Sequence, residues 1–397
     1  MEIKHRYAYI KNGDVILQLK SLIKNPAAIP SGGPNAFIAD FLSHVGDCPL
    51  LLISSQKYSD YYRHRNIRAY VMRMSIPALG AMGAAVARTL SFGGILLHLA
   101  RFKPTRALCG SLGYPLWAAF IYSKLFSVPL VFSLHNRLEY SGHGPRKRLI
   151  AKINKYILRR VNTAICHGPY LRQQLLDIGI PEHRIKEFDC GLKDLWERPG
   201  ANDNAPAHGD NHYKSITYIG RIDYTKGVFD LLEACRELLE SCADIRLVYV
   251  GGGYDLNGLK DRISILSLGN RVVLRGTLGR DELAGVIRNS YIVVTPTKSC
   301  FPEGRCMAAM EGLAMGIPVI APAFGPFPYL VKDRINGLLF IPDSVPDLRK
   351  KIHELVHDRV LYTRLRQGAQ QAGKEILEPA TTFYQAVQWA FNAYPRI

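Results

Sequence analysis

Short apolar runs alternate with amphipathic stretches along the whole chain. This alternation is typical of a mostly parallel sheet whose faces are covered by helices. In the first half of the chain, the apolar runs that we interpret as strands are residues 15–19, 50–54, 106–109, 129–134 and 163–166. In the second half they are residues 216–219, 246–250, 272–274, 291–295 and 319–321. The pattern therefore predicts two successive α/β domains.

A segment of different composition separates the two series. Residues 197–213, ERPGANDNAPAHGDNHY, are crowded with Pro, Gly, Asn and Asp, as in a flexible linker. We therefore predict an N-terminal domain over residues 1–196 and a C-terminal domain over residues 214–380. Residues 381–397 have the apolar repeat of a helix. This helix either packs back on the N-terminal domain or closes the C-terminal domain.

Composition is that of a globular protein, but the charge is unevenly distributed. Hydrophobic residues make up 48% and charged residues 21% of the 397 positions, and the formal net charge is +18. Residues 1–190 contain 26 Lys and Arg against 10 Asp and Glu, whereas residues 191–397 contain 25 against 23. The basic half should meet an anionic membrane surface or a phosphate-bearing acceptor. Nucleic acid is not expected as a partner, because no nucleic-acid-binding signature accompanies the charge.

Several features bear on the location of the protein. The eight cysteines form no Cys-x-x-Cys pair and no zinc-type spacing, which is typical of reduced thiols in the cytosol. The first residues, MEIKHRYAYIKNGD, lack the apolar core of a secretory signal. The longest apolar stretches, residues 76–87 and 112–122, are shorter than the roughly 20 residues that cross a bilayer. We expect a cytoplasmic protein, either free or peripheral on the inner face of the membrane.

The clearest chemical signal is a strand, turn and helix that begins at residue 216, ITYIGRIDYTKGVFDLLEA. Gly220 permits a tight turn after the strand, and Arg221 and Lys226 follow near the start of the helix. Two cations beside a helix N-terminus form an anion site, because unpaired backbone N–H groups and the helix dipole add to the side-chain charges. A diphosphate is the natural ligand. The alternative is that two solvated cations flank an ordinary turn.

Two carboxylates follow in the stretch FPEGRCMAAMEGLAM. Glu303 precedes a predicted helix and Glu311 lies about two turns further along it, too far away for the two to act on one atom. They can instead bind hydroxyls of one elongated ligand, with a phosphate between them. The backbone N–H groups that would bind this phosphate belong to Gly304, Arg305, Cys306 and Met307. The alternative is a capping Glu and a solvated Glu, but a carboxylate within an apolar run is costly without partners.

Together these motifs resemble the donor domain of family 4 retaining glycosyltransferases of the GT-B fold. The family joins Gly-Arg-x4-Lys-Gly to Glu-x7-Glu and Pro-Val-Ile, which here read GRIDYTKG, EGRCMAAME and PVIAP, followed by INGLLF. The resemblance implies two facing Rossmann-like domains with mostly parallel sheets. It also implies that Arg221 and Lys226 bind and neutralise the leaving diphosphate of a nucleotide sugar. Glu303 would then bind sugar hydroxyls and Glu311 the ribose.

The N-terminal half matches the family in two places. Gly32 and Gly33 resemble its glycine loop, where missing side chains let backbone N–H groups approach a phosphate or sugar. His135, at the end of the predicted strand VPLVFSLH, matches the family's histidine near the primary hydroxyl of the sugar. A histidine there would face the crevice in which α/β sheets bind ligands. The alternatives are a simple turn after Pro30 and a structural histidine.

Two features differ from the family or stand outside its pattern. Arg305 and Cys306 replace the usual Phe and Gly, so the donor sugar is contacted differently or Arg305 contacts a charged substituent. Residues 144–161 form a basic amphipathic helix, which can lie on anionic lipid or pack its apolar side in the core. Both interpretations hold if only the basic edge of the helix contacts lipid. The apolar residues of the predicted face are Leu149, Ile150, Ile153, Tyr156 and Ile157.

Three classes of function compete. The first is a retaining, metal-independent transferase that needs no cofactor and moves a hexose from a nucleotide-diphosphate sugar to a lipid-linked or polysaccharide acceptor in cell-envelope or exopolysaccharide synthesis. The second is a catalytically silent GT-B-like binding or scaffold subunit, against which the intact donor motifs argue. The third is a dinucleotide-dependent oxidoreductase. Its G-x-G-x-x-G motif fails at the glycine triplet 251–253, because Leu256 stands where a glycine is needed.

Overall fold

A computed structural model of the chain describes residues 5–11, 18–20, 41–42, 44–56, 59–73, 80–138, 144–189, 192 and 213–393. The chain divides into two compact units. Unit 1 comprises Met1–Cys190 and Ala380–Ile397, and unit 2 comprises Gly191–Pro379. The predicted glycine loop at Gly32 and Gly33 lies outside the described residues, as do residues 197–212 of the predicted linker.

Unit 1 is built on an eight-stranded sheet with the strand order β3-β4-β2-β1-β5-β6-β7-β8. The strands are β1 Tyr7–Ile10, β2 Leu50–Gln56, β3 Asp60–His64, β4 Ile67–Arg73, β5 Arg106–Cys109, β6 Leu130–Leu134, β7 Thr163–His167 and β8 Ile185–Phe188. All neighbours are parallel except β3 and β4, which form an antiparallel edge. Every residue of β1, β6 and β7 is buried, as expected of a parallel sheet covered on both faces.

The first strand lies earlier in the chain than the apolar pattern predicts. The prediction of a strand over residues 15–19 is wrong at its end, because residues 18–20 are helical and the central strand is β1. Two of the four residues of β1 are tyrosines, so no aliphatic run marks it. Strands β3, β4 and β8 were also missed, and no residue of β3 is fully buried. Burial alternates along much of β4, and Lys186 and Glu187 interrupt β8.

Three helices lie side by side on one face of this sheet. They are α1 Gly80–Phe102, α2 Tyr114–Phe126 and α3 Pro145–Leu158, and α4 Pro169–Asp177 follows β7. Helix α1 contacts α2, and α2 contacts α3. All three contribute to a single core cluster with the strands, for example through Leu99, Leu116 and Ile157. Of the helices within the described ranges, none is long and apolar enough to span a membrane.

Helix α3 corresponds to the basic amphipathic segment predicted over residues 144–161. The apolar face that the periodicity predicts is only partly buried. Ile157 is buried and Ile153 packs against the core, whereas Leu149 and Tyr156 are exposed. The helix therefore buries part of its apolar side in the core and presents another part to solvent together with its cations.

Unit 2 is built on a fully parallel six-stranded sheet with the order β11-β10-β9-β12-β13-β14. The strands are β9 Lys214–Ile219, β10 Ile245–Val250, β11 Val272–Leu274, β12 Ile292–Val294, β13 Val319–Pro322 and β14 Gly337–Phe340. The helices are α5 Val228–Ser241, α6 Leu256–Ile265, α7 Arg280–Arg288, α8 Met307–Ala314, α9 Phe327–Leu330, α10 Val345–His357 and α11 Arg359–Leu377. One core cluster joins the sheet to α5, α6 and α10, and a second joins it to α7, α8 and α9.

The last helix, α12 Phe383–Asn392, belongs to unit 1. Its start is fixed by a capping box, in which the Thr382 hydroxyl accepts from the Gln385 N–H and the Gln385 side chain accepts from the Thr382 N–H. Phe383 and Phe391 are buried, and the helix packs on β7 and β8. Asp189, just after β8, forms a backbone bridge with Thr382. The end of the chain therefore completes the core of unit 1.

Candidate functional site

The turn after β9 fixes the backbone at Arg221. Gly220 has a φ of 151°, and a Cβ atom at this position would lie 2.9 Å from the hydroxyl oxygen of Tyr218. That hydroxyl donates a hydrogen bond to the carbonyl of Arg221 at 2.5 Å. Glycine is therefore required by both the backbone conformation and the close approach of the tyrosine. The arrangement holds the chain in place just where the first predicted cation lies.

Lys226 ends a short 3-10 turn, Tyr224–Lys226, that leads directly into α5. Asp223 caps this turn by accepting from the N–H of Thr225 at 2.8 Å. Gly227 follows with a φ of 71°, in the left-handed region that favours glycine. The two predicted cations thus lie on one rigid turn ahead of a helix N-terminus.

The glycine triplet 251–253, at the end of β10, supports the same turn. The N–H of Ile222 donates to the carbonyl of Gly252 at 2.9 Å. A Cβ atom at Gly251 would lie 1.9 Å from the carbonyl oxygen of Gly220, and one at Gly253 would lie 2.1 Å from that of Ile222. The triplet therefore allows two loops to pack backbone against backbone. This packing explains Gly251 and Gly253 without a dinucleotide.

Lys226 and Glu303 form the central ion pair of the candidate site. The Nζ atom of Lys226 lies 2.6 Å from Oε2 of Glu303, and their side chains are only 17% and 11% exposed. The same Nζ lies 3.7 Å from the ring centroid of Phe301, and the guanidinium carbon of Arg221 lies 5.7 Å from it. Both cations therefore face one aromatic ring, which attracts positive charge. The structure brings Arg221, Lys226 and Glu303 together around this ring.

Helix α8 begins next to this pair. Cys306 is its N-cap residue, and it makes no capping hydrogen bond through its side chain. Burial raises the pKa of the Cys306 thiol to about 12, so the thiol is neutral and adds no charge. Gly304 is buried and Arg305 is half-buried. The first N–H groups of α8, including that of Met307, have no acceptor within the helix, which suits an anion at this end.

Glu311 lies inside α8 among buried apolar neighbours. Burial raises the pKa of Glu311 to about 7. The next residue is Gly312, where a Cβ atom would come within 3.1 to 3.2 Å of Val319 and Val293. The helix therefore packs tightly on β12 and β13. At neutral pH Glu311 is poised between its charged and uncharged forms.

A second ion pair anchors the loop that carries Phe301 and Glu303. Lys298 Nζ lies 2.5 Å from Oδ2 of Asp230 on α5, and both side chains are largely buried. The N–H of Lys298 also donates to the carbonyl of Thr225 at 3.0 Å. Sequence reasoning missed this pair, because the two residues are 68 positions apart and belong to no motif. The pair fixes the loop against the Lys226 turn.

His135 lies in unit 1, one residue beyond the end of β6. Its Nε2 atom lies 2.8 Å from Oγ of Ser133. Burial, with smaller contributions from His167 and Lys11, lowers the pKa of His135 well below its usual value. The imidazole is therefore neutral near pH 7. A neutral ring can donate a hydrogen bond from one nitrogen and accept at the other.

Other polar residues lie at the carboxyl ends of neighbouring strands in unit 1. His167, at the end of β7, pairs with Asp189 at 3.1 Å. Lys11 follows β1, and burial lowers its pKa to about 7. Sequence reasoning missed Lys11 and Asp189, because the strands β1 and β8 that precede them were not predicted. In the described part of the chain, no three His, Cys, Asp or Glu side chains are grouped to hold a metal ion.

Two family matches cover most of the chain. Residues 203–372 match the family described as glycosyl transferases group 1, and residues 48–191 match the glycosyl transferase 4-like domain. Sulfoquinovosyl transferase SQD2 of Arabidopsis thaliana is 24% identical over 277 residues, which are 67% of this chain and 52% of that protein. Alpha-monoglucosyldiacylglycerol synthase of Streptococcus pneumoniae is 24% identical over 238 residues, 55% of this chain and 52% of that protein. The chain spans about half the length of the curated relatives it matches first.

A solved structure with the same fold is HepE of Anabaena in complex with UDP. The TM-score is 0.69 at 16% identity, and the match covers 98% of this chain and all of that one. The two α/β units with their mostly parallel sheets therefore have the fold of the GT-B class. Because both family matches agree with this fold, the chain belongs to the GT-B glycosyltransferases, and this confirms the family 4 resemblance of its motifs.

Proposed function

We propose that the protein is a retaining glycosyltransferase that moves a hexose from a nucleotide-diphosphate sugar to a lipid-linked or polysaccharide acceptor. The observation that carries this proposal is the pair of Lys226 and Glu303 at 2.6 Å, on the turn that also presents Arg221. A phosphate can take the place of the Glu303 carboxylate on Lys226 without leaving the cation unpaired. The open N–H groups at the start of α8 offer the same phosphate further donors.

The leaving group determines what these cations do. When the bond from the sugar to the phosphate breaks, negative charge grows on the nucleoside diphosphate. Arg221, Lys226 and the α8 N-terminus are fixed donors for this charge and need no reorganisation during the reaction. Since two side-chain cations neutralise the diphosphate, we propose that transfer requires neither a metal ion nor a cofactor. The UDP in the HepE structure supports a nucleotide ligand.

The carboxylates and the histidine have separate roles along the donor. Released from Lys226, Glu303 accepts hydrogen bonds from sugar hydroxyls, and ionised Glu311 accepts them from the ribose. His135, held neutral by burial, hydrogen-bonds a hydroxyl of the transferred sugar. The anomeric configuration is retained if the acceptor hydroxyl attacks the same face of the sugar from which the diphosphate departs. The leaving phosphate oxygen then takes the proton of that hydroxyl. Arg305, half-buried ahead of α8, can contact a charged substituent on the sugar.

The charge of the chain favours an anionic acceptor environment. Residues 1–190 contain 26 Lys and Arg against 10 Asp and Glu, so a phosphate-bearing lipid carrier or the inner face of the membrane is attracted to this half. The diacylglycerol in the name of the pneumococcal relative supports a lipid-linked acceptor. We therefore assign the reaction to cell-envelope or exopolysaccharide synthesis at the cytoplasmic side of the membrane.

The proposal is tested by separating donor binding from transfer. Binding of UDP and other nucleoside diphosphates is measured by calorimetry, and nucleotide sugars are screened for hydrolysis and transfer. Lys226→Ala should weaken nucleotide binding roughly 10- to 100-fold, because it removes a charge-assisted hydrogen bond. Glu303→Ala should bind the nucleotide at least as well as wild type, since no carboxylate competes for Lys226. Transfer by Glu303→Ala should nevertheless be largely lost.

Lys260→Ala is the matched control, because it removes an exposed lysine from α6 in the same unit. It should bind and turn over like wild type. Full turnover by Lys226→Ala would refute the phosphate site. If no nucleotide or nucleotide sugar binds to the wild type, the silent scaffold becomes the better description of the chain.

A further inference from the structure

Helix α1 exposes an apolar stripe on the side that faces away from the sheet. The stripe consists of Met82, Val86, Leu90 and Leu97, all exposed, with Leu90 at 66%. Their spacings of four, four and seven residues place them on one side of the helix. The opposite side of α1 is buried in the core of unit 1, for example at Leu99. The stripe therefore lies on the side of α1 that takes no part in this core.

The two neighbouring helices continue this surface. On α2 the exposed apolar residues are Ile121, Leu125 and Phe126, and Leu125 is 72% exposed. On α3 they are Leu149 and Tyr156. Because α1 contacts α2, α2 contacts α3, and all three bury their inner sides in one core cluster, these residues belong to one surface. We call the solvent-facing sides of α1, α2 and α3 the outer helical face.

The charge of the outer helical face has one sign. None of α1, α2 and α3 contains an Asp or Glu. Between residues 61 and 176 the sequence contains 18 Lys and Arg and a single acidic residue, Glu139. The exposed cations on the three helices are Arg88, Arg101, Lys124, Lys147, Arg148 and Lys152. A partner for this face must therefore be both anionic and able to accept aliphatic side chains.

We propose that the outer helical face of unit 1 docks on an anionic lipid bilayer. The exposed Leu, Met and Phe side chains enter the boundary between headgroups and acyl chains, and the surrounding cations bind the lipid headgroups. Apolar surface of this kind on a soluble protein is unfavourable in water unless a partner covers it. The inference extends the proposed function, on which it rests for the lipid-linked acceptor. The proposed lipid-binding surface is larger than the basic helix α3, because α1 and α2 supply most of its apolar side chains.

Charge complementarity favours lipid over other occupants. A second copy of the chain, docked through the same face, would bring its cations opposite these cations, which is repulsive. Nucleic acid would neutralise the cations but leave the aliphatic stripe of α1 in water. An anionic bilayer satisfies both the cations and the apolar side chains.

Sedimentation of the full chain with vesicles tests the proposal. Wild type should bind vesicles of phosphatidylglycerol and phosphatidylcholine, and bind pure phosphatidylcholine much less. The double variant Leu90→Ser with Leu125→Ser should lose at least about tenfold in vesicle binding, because two large apolar side chains no longer insert. Lys147→Glu with Lys152→Glu should weaken binding to the anionic vesicles and reduce its dependence on salt.

The matched control is Ile265→Ser with Val360→Ser, which removes two similarly exposed apolar residues, 72% and 82%, from unit 2. It should bind vesicles like wild type. Equal binding by the Leu90 and Leu125 double variant, or wild type that stays in the supernatant, overturns the proposal. So does a dimer in analytical ultracentrifugation that the same double variant abolishes, since the face then binds a second copy. Binding of UDP and the other nucleoside diphosphates, measured in parallel, reports on the proposed function separately: vesicle binding by a chain that binds none of these nucleotides contradicts the proposed function alone.

Discussion

Glu303 and Glu311 are both largely enclosed carboxylates, but their surroundings differ. Glu303 has the ammonium group of Lys226 at 2.6 Å, so its charge is compensated within the protein. Glu311 is enclosed mainly by apolar neighbours, and burial raises its pKa to about 7. A carboxylate kept in such a place lowers stability unless a ligand uses it. A destabilising effect of the Glu311 carboxylate would therefore indicate that this residue has a function.

The stability of Glu311→Gln should depend on pH. The carboxyl pKa is 4.5 for an unperturbed Glu and about 7 in the folded protein. The folded state thus holds the proton more tightly, and the free energy of unfolding of wild type falls as pH rises from about 4.5 to about 7. This fall in the free energy of unfolding should be absent in Glu311→Gln, because glutamine does not titrate. At pH 8 the variant should be more stable than wild type by up to about 3 kcal/mol, and at pH 5 by less than about 1 kcal/mol.

Thermal unfolding at the two pH values measures this difference. Glu375→Gln, which changes an exposed Glu on α11, is the control and should show no such dependence. A variant Glu311→Gln that is less stable than wild type at pH 8 would mean that the Glu311 carboxylate is bound by partners inside the protein. The burial of an uncompensated carboxylate, from which we infer a ligand role for Glu311, would then be contradicted.

At the scale of elements, the loop after β10 positions the loop after β9. Gly253 approaches Ile222 so closely that a Cβ atom would lie 2.1 Å from its carbonyl oxygen, whereas one at Gly252 would lie 3.6 Å from Oγ1 of Thr277. Gly253→Ala must therefore displace the turn that carries Arg221, but Gly252→Ala fits in ordinary contact. We expect Gly253→Ala to weaken UDP binding at least about tenfold, and to lower stability by roughly 1 to 3 kcal/mol.

Gly252→Ala, one position away with the same chemical change, should keep wild-type UDP affinity in calorimetry. Equal affinity in both variants would show that the triplet does not set the geometry of the Arg221 turn. Weaker binding by Gly252→Ala alone would instead mean that a ligand approaches the triplet directly.

The elements also show what the sequence could predict. Strands that are buried along their whole length, such as β6, β7 and β13, appear as apolar runs and were predicted nearly to the residue. The central strand β1 is rich in tyrosine, and β4, next to the edge strand β3, is only partly buried, so neither resembles an aliphatic run. The α/β class survives these errors because it depends on the alternation of strands and helices rather than on any one strand.

The site was predictable where its residues follow one another along the chain. Arg221, Lys226, Glu303 and Glu311 belong to two local motifs, and the fold brings the first three together. The pair of Lys298 and Asp230 could not be predicted, because it depends on how the loop after β12 packs on α5. The same holds for His167 and Asp189, whose strands lie side by side only in the folded sheet.

At the scale of the whole molecule, the two units have separate hydrophobic cores. The predicted diphosphate contacts among the described residues, which are Arg221, Lys226 and the N-terminus of α8, lie in unit 2. A ligand stabilises only the part of a protein that must be folded to bind it. In calorimetry we therefore expect two unfolding transitions, and UDP should raise the midpoint temperature of only one of them.

At about 100 times its dissociation constant, UDP should stabilise that unit by about 2.7 kcal/mol and raise its midpoint by roughly 5 to 10 °C. In Lys226→Ala at the same UDP concentration the shift should shrink or disappear. Without UDP, the midpoint of unit 1 should stay close to that of wild type, and the midpoint of unit 2 should fall, because Glu303 loses the ammonium group that compensates its charge. Equal shifts of both transitions in wild type would contradict the assignment of the diphosphate to unit 2, because they would require unit 1 to contribute comparably to the binding energy.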